Sequence, residues 1–131
     1  MKEVLDFLNQ AGVYYLATVE GDQPRVRPIG FVMEYDGKLM FSTSNQKAMY
    51  QQLTTNPKVE IACYDGAGKT LRISGKAVFA TSDATQAQAL ELMPMLKNMY
   101  SVGDGLLEIY YLEEAKAVCA DMSGNSQEWT I

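Results

Sequence analysis

GVYYLATVEGDQPRVRPIGFVMEYDGKLMFSTS, residues 12–44, decides the fold. Residues 13–19 are rich in β-branched and aromatic side chains and predict a strand. Glu20-Gly21-Asp22-Gln23 is a turn signal, and residues 25–35 predict a second strand that folds back on the first as a hairpin. Asp36-Gly37 is a tight-turn pair, so residues 38–43 return as a third strand. Three short strands joined by tight turns point to an antiparallel sheet rather than a parallel nucleotide-binding one.

The flanking sequence extends this pattern. Val4, Leu5, Leu8 and Ala11 recur at helical spacing and Gly12 follows as a stop, which predicts a helix over 1–11. Ser44 or Asn45 can cap a helix over 46–55, and Asn56-Pro57 ends it. Strands are expected over 58–64 and 69–79, around the turn Asp65-Gly66-Ala67-Gly68. A helix capped by Thr81, Ser82 or Asp83 should run to about residue 92, and Pro94 interrupts or restarts it. Residues 106–112 and 115–122 predict two last strands, with 123–131 a tail. The fold class is therefore mainly β with short helices (α+β), an antiparallel barrel of six to seven strands. With no linker or repeat, a single domain is expected over 1–131.

Composition narrows the chemistry. The net charge is −5, which disfavours a nucleic-acid partner. No apolar run approaches the roughly 20 residues of a membrane span. The N-terminal MKEVLDFLNQ has acids where a secretory signal would be apolar, so a cytoplasmic protein is expected. There is no histidine, which removes Ser-His-Asp and Cys-His nucleophilic sites and histidine metal sites. Cys63 and Cys119 have no metal or redox spacing and are expected to be reduced structural thiols. No metal site is expected.

Two stretches carry candidate chemistry. Arg25 and Arg27 are two apart in a strand, so they share a sheet face. Either an anion such as a phosphate lies between them, or each pairs with a strand neighbour such as Glu20 or Glu60. Pro28 cannot donate a ladder hydrogen bond, and Gly30 is a second weak point, so backbone near them is free for a ligand or simply marks an edge. In FSTSNQK, residues 41–47, a strand ending in hydroxyls opens into a helix with Lys47 in its first turn. A cation there is disfavoured by the helix dipole unless an anion sits against the free N–H groups; the alternative is an ordinary cap. Trp129, the only tryptophan, lies in the tail and should pack on the barrel or on a partner subunit.

In this order the pieces resemble the pyridoxamine 5′-phosphate oxidase-like split-barrel flavoproteins, over most of the chain. GVYYLATVEGDQPRVRPIGF is similar to the family's opening hairpin, and GKLMFSTSNQKAMYQQLTTNPKVEIACY to its next strand, phosphate-binding turn, helix and strand. LRISGKAVF is similar to the strand that follows. The resemblance implies a homodimeric split barrel with flavin mononucleotide (FMN) at the subunit interface. It implies that Arg25, Val26, Arg27 and Pro28 meet the flavin through side chain or backbone. Ser42, Thr43, Gln46 and Lys47 would complete the phosphate site. Thr70 and Arg72 would come from the other subunit, and Trp129 is placed among the flavin contacts. The catalytic group would be the flavin itself, serving a small-molecule substrate and a possible nicotinamide donor. The family's vitamin-binding arginine and histidine near the C-terminus are missing, because no histidine is present and no arginine follows Arg72. The chain is thus closer to the short general-stress and nitroimidazole-resistance-like members, and efficient pyridoxamine 5′-phosphate oxidation is not expected. The alternatives are a flavin-binding or sensing protein without turnover, and an enzyme using another flavin such as a deazaflavin.

Overall fold

The structure, a computed structural model, describes residues 1–131. Helix α1 (Lys2–Ala11) buries Val4 and Leu8 and stops at Gly12, whose φ of 78° lets its N–H reach the Leu8 carbonyl. Strands β1 (Tyr14–Glu20) and β2 (Gln23–Ile29) form the expected hairpin. Strand β3 (Met33–Tyr35) turns into β4 (Lys38–Ser44) through Asp36 and Gly37, with φ of 53° and 72°. Two positive φ values in succession are what a type I′ hairpin turn demands. Helix α2 (Ala48–Thr55), strands β5 (Lys58–Tyr64) and β6 (Lys69–Phe79) and helix α3 (Asp83–Leu92) follow. A 3₁₀ turn over Pro94–Asn98, strand β7 (Leu107–Asp121) and strand β8 (Ser126–Thr130) complete the chain.

All strand pairs are antiparallel, in the order β2-β1-β5-β6-β7-β4-β3, and β8 also pairs with β7. The fold is the antiparallel split β-barrel that the sequence predicts, with eight strands in place of six or seven. Three differences account for the number. The strand expected over 25–35 divides, because Gly30, Phe31 and Val32 leave the ladder after Ile29. The two strands expected over 106–122 are one, bent where Glu114 adopts a φ of 52° opposite a bulge at Gly75. The tail supplies β8, and Trp129 pairs with Ala117 and packs on the barrel core of its own chain.

That core is built by alternation. Val59, Ile61 and Cys63 of β5 point inward between exposed Lys58, Glu60 and Tyr64. They pack with Leu16, Phe41, Ile73 and Tyr110 inside the barrel. A second, smaller cluster around Phe31, Met33 and Leu90 seats α3 on the β3–β4 side. The α3 cap is a reciprocal one: the Ser82 hydroxyl accepts from the Thr85 N–H and the Thr85 hydroxyl accepts from the Ser82 N–H. No helix is long and apolar enough to cross a membrane.

Cys63 and Cys119 lie on strands either side of β6, each opposite Leu71, and both are free thiols. Two strand spacings amount to roughly 10 Å, beyond disulfide reach. Burial pushes the Cys63 thiol up to about 11. Cys63 should therefore react slowly in the native protein at neutral pH, with two thiols appearing on denaturation; thiol titration with and without denaturant measures both.

Candidate functional site

A cavity of about 440 Å³ opens where β2 gives out. One wall is the backbone from Arg27 to Phe31, held by the Tyr14 hydroxyl, which donates to the Phe31 carbonyl. A second wall is formed by Ser42 and Thr43 at the end of β4 and by Lys47, Ala48 and Met49 where α2 begins. Met93 and Leu96, at the junction of α3 and the 3₁₀ turn, form an apolar third wall. Pro28 offers no N–H to a ladder, and at Gly30 a Cβ would meet only the Gly12 carbonyl, at 3.5 Å. The local weakness read from the sequence is thus where the cavity lies.

Several polar groups on the second wall lack protein partners. Thr43 Oγ1 is buried without any hydrogen bond. No side chain caps α2, and the Ala48 and Met49 amides find no acceptor on the protein. Ser44 Oγ instead accepts from the Gln46 N–H, at 3.2 Å. Lys47 is exposed at the cap position and forms no ion pair. Free amides, a free hydroxyl and a cation at a helix N-terminus make a candidate anion site.

Arg25 and Arg27 share a face, opposite Thr18 and Leu16 of β1, but have different surroundings. Arg25 is exposed, lies outside the cavity and forms an ion pair with Glu20, at 2.9 Å. That pairing holds the Glu20 carboxyl below its usual range. Arg27 is half-buried, lines the cavity and meets only neutral partners. Its Nη1 donates to Thr18 Oγ1 at 2.8 Å and to the Leu16 carbonyl at 3.2 Å, and its Nη2 to Gln52 Oε1 at 2.7 Å. Burial lowers the Arg27 pKa from its ordinary value, but an arginine remains cationic in a protein. No carboxylate lines the cavity.

The remaining sequence candidates lie elsewhere. Gln46 is exposed beside Asn45, to which its amide donates, and does not line the cavity. Val26 is on the outer face of the sheet, with Tyr15 and Tyr64, and these three are 67%, 52% and 57% exposed. The register carries Thr70 and Arg72 onto that same outer face, opposite Tyr64 and Ala62. Trp129 is half-buried against the core and does not reach the cavity. The sequence reading missed Gln52, Thr18, Met93 and Leu96. Gln52 was legible as a polar residue on the apolar stripe of α2, three after Met49 and beside Leu53, and all three are buried.

The chain is thus a split barrel with an unneutralised cationic cavity at its edge strand. The family model described as pyridoxamine 5′-phosphate oxidase matches residues 1–109, and the chain belongs to that family. A NimC/NimA family protein from Clostridium acetobutylicum is 41% identical, with 98% of this chain and 93% of that one covered and a TM-score of 0.92. General stress protein 26 from Bacillus anthracis shares the fold at 13% identity, covering 98% and 97% of the two chains, with a TM-score of 0.75. A pyridoxamine 5′-phosphate oxidase-related, FMN-binding protein from Nostoc punctiforme does so at 16% identity, covering 99% and 95%, with a TM-score of 0.66. No curated protein matches the sequence.

A buried hydroxyl without a partner costs stability that a methyl would not. Thr43→Val should leave the ligand-free protein as stable as wild type or up to about 1 kcal/mol more stable. Urea denaturation of the ligand-free protein measures this.

Proposed function

We propose that the chain is a homodimeric FMN-dependent oxidoreductase acting on a small uncharged molecule. The observation that carries this reading is the Arg27 guanidinium, half-buried at a cavity with no carboxylate to neutralise it. Membership in the pyridoxamine 5′-phosphate oxidase family supports reading that anion as the flavin phosphate. The residues present fit that group: Arg27 and Lys47 bring charge, Ser42 and Thr43 bring hydroxyls, and the Ala48 and Met49 amides are free donors. The unpaired outer edge of β2 at Pro28 and Ile29, and Gly30 beyond it, are available to the polar edge of the isoalloxazine ring.

When bound, the flavin supplies reversible electron and hydride transfer. The protein's part is to bind, orient and screen it. The apolar wall of Phe31, Met49, Met93 and Leu96 favours an uncharged partner over the ring, with a nicotinamide as electron donor. Both cations at the cavity are assigned to the flavin phosphate, so none is left there for the phosphate of a substrate held beside the ring, whereas a nicotinamide donor can keep its phosphates outside.

The outer face exposes Tyr15, Val26 and Tyr64 together, an apolar cluster suited to a partner surface. A second copy of the chain seated there would bring Thr70 and Arg72 to the interface, where they would reach the partner's flavin. Burying about 2,000 Å² in total is typical of such dimers. Light scattering should give a dimer at micromolar concentration, and Tyr15→Glu combined with Val26→Glu should give a monomer with weakened flavin binding.

The purified protein should be yellow and release a chromophore with the mass of FMN. A deazaflavin mass, or no chromophore and no FMN binding on titration, would overturn the reading. Arg27→Ala and Lys47→Ala should each weaken FMN binding by about tenfold or more, and Arg25→Ala by less. Turnover with a nicotinamide donor and a panel of uncharged acceptors separates an oxidoreductase from a protein that only holds flavin.

A further inference from the structure

Gln52 is a buried polar residue on a helix face that otherwise carries Met49 and Leu53, and it is only 5% exposed. An apolar side chain would pack there at no desolvation cost, so its amide calls for an explanation. Its Oε1 accepts from two donors, Thr18 Oγ1 and Arg27 Nη2. Thr18 is 1% exposed, and its hydroxyl in turn accepts from Arg27 Nη1 at 2.8 Å. The three side chains close a ring that joins β1, β2 and α2. The Gln52 amide nitrogen also reaches Glu20, at 3.5 Å, which already pairs with Arg25.

The ring determines which part of the guanidinium is left over. Arginine has five N–H donors in a planar fork. Both Nη1 hydrogens are used, on Thr18 and the Leu16 carbonyl, and one Nη2 hydrogen is used on Gln52. Because the Thr18 hydroxyl donates to Gln52 Oε1, the two acceptors adjoin and take the facing hydrogens of Nη1 and Nη2, which leaves Nε–H and the outer Nη2–H, side by side on one edge of the plane, without a protein acceptor. That edge is the pair of parallel donors that grips two oxygens of one phosphate. Arginine has several rotatable bonds, and holding it in one rotamer beforehand removes an entropy cost from binding.

We propose that Gln52, together with Thr18, is a positioning residue that fixes Arg27 so that its unpaired Nε–Nη2 edge is presented to an anionic group in the cavity. It does so through neutral oxygens only. A carboxylate in the same place would hold the guanidinium as firmly but would neutralise it. This rests on the reading of that anion as the flavin phosphate.

The test is a comparison of FMN with riboflavin, which lacks the phosphate, titrated against the full-length protein by flavin fluorescence. Gln52→Leu should weaken FMN binding about tenfold and leave riboflavin affinity within about twofold. Gln52→Glu, which keeps the acceptor but adds a charge, should also weaken FMN selectively. Thr18→Val should behave as Gln52→Leu does and Thr18→Ser should restore wild-type affinity, which controls for packing. In an Arg27→Ala background Gln52→Leu should cost nothing further, because it acts only through Arg27. Equal losses for the two flavins, or a Gln52→Leu effect that persists without Arg27, would overturn the positioning role while leaving the flavin reading intact. A wild-type protein that binds neither flavin would overturn both.

Discussion

Strand β7 is the element on which the rest of the structure depends, because it changes partner half-way along. One of its edges pairs with β6 over almost its whole length, while the other pairs first with β4 and then with β8. A strand that holds two neighbours in succession on one edge must bend between them. The bend is at Glu113-Glu114, where Glu114 takes a left-handed φ of 52° and Gly75 sits against it on β6. A Cβ at Gly75 would come within 3.2 Å of the Glu113 carbonyl and the Leu112 Cβ, so glycine relieves crowding at this close approach. The bend splits the barrel and places the end of β4, with Ser42 and Thr43, beside the broken end of β2.

The site is then a consequence of what the backbone cannot do. The ladder ends at Ile29, and the chain runs unpaired as Gly30-Phe31-Val32 before pairing resumes at Met33. Unpaired buried backbone is costly, so something must anchor such a segment. The Tyr14 hydroxyl does so at the Phe31 carbonyl, from inside the barrel. Tyr14 is buried, and that burial raises its phenol pKa well above the ordinary value, so the hydroxyl keeps its proton and remains a donor.

Local sequence carried the elements more completely than it carried the site. The hairpin turns, the helix stop at Gly12 and the alternation in β5 each rest on a few adjacent residues, and all were legible. So was the weakness around Pro28 and Gly30. The joining of residues 107–121 into one strand was not, because Glu113-Glu114 reads as a break until β6 supplies the bulge that accommodates it. The tail looked irregular because β8 exists only as a partner of β7. Local spacing placed Arg25 and Arg27 on one face but left open whether an anion or a neighbouring acid met them. The distinction depends on Glu20 being turned toward Arg25, and on Thr18 and Gln52 being turned toward Arg27, contacts made across strand and helix. Gln52 stands 25 residues from Arg27 in sequence.

An acidic protein that holds an anion must keep its own carboxylates away from it. This chain carries 16 acidic residues against 11 basic ones, yet none of the acids lines the cavity. The nearby acids are engaged elsewhere. Glu20 is taken by Arg25, with the Gln52 amide as a second partner. Glu108 of β7, next to the end of β4, accepts from Asn45 and from Thr81. Arg25 therefore has a structural part in the site although it lies outside the cavity. Two residues along β2 from Arg27, its pairing with Glu20 engages the acid that the Gln52 amide also reaches, while Arg27 itself meets only neutral partners. The pair of arginines that the sequence presents as equivalent divides the work: one neutralises the local acid, and the other stays unneutralised.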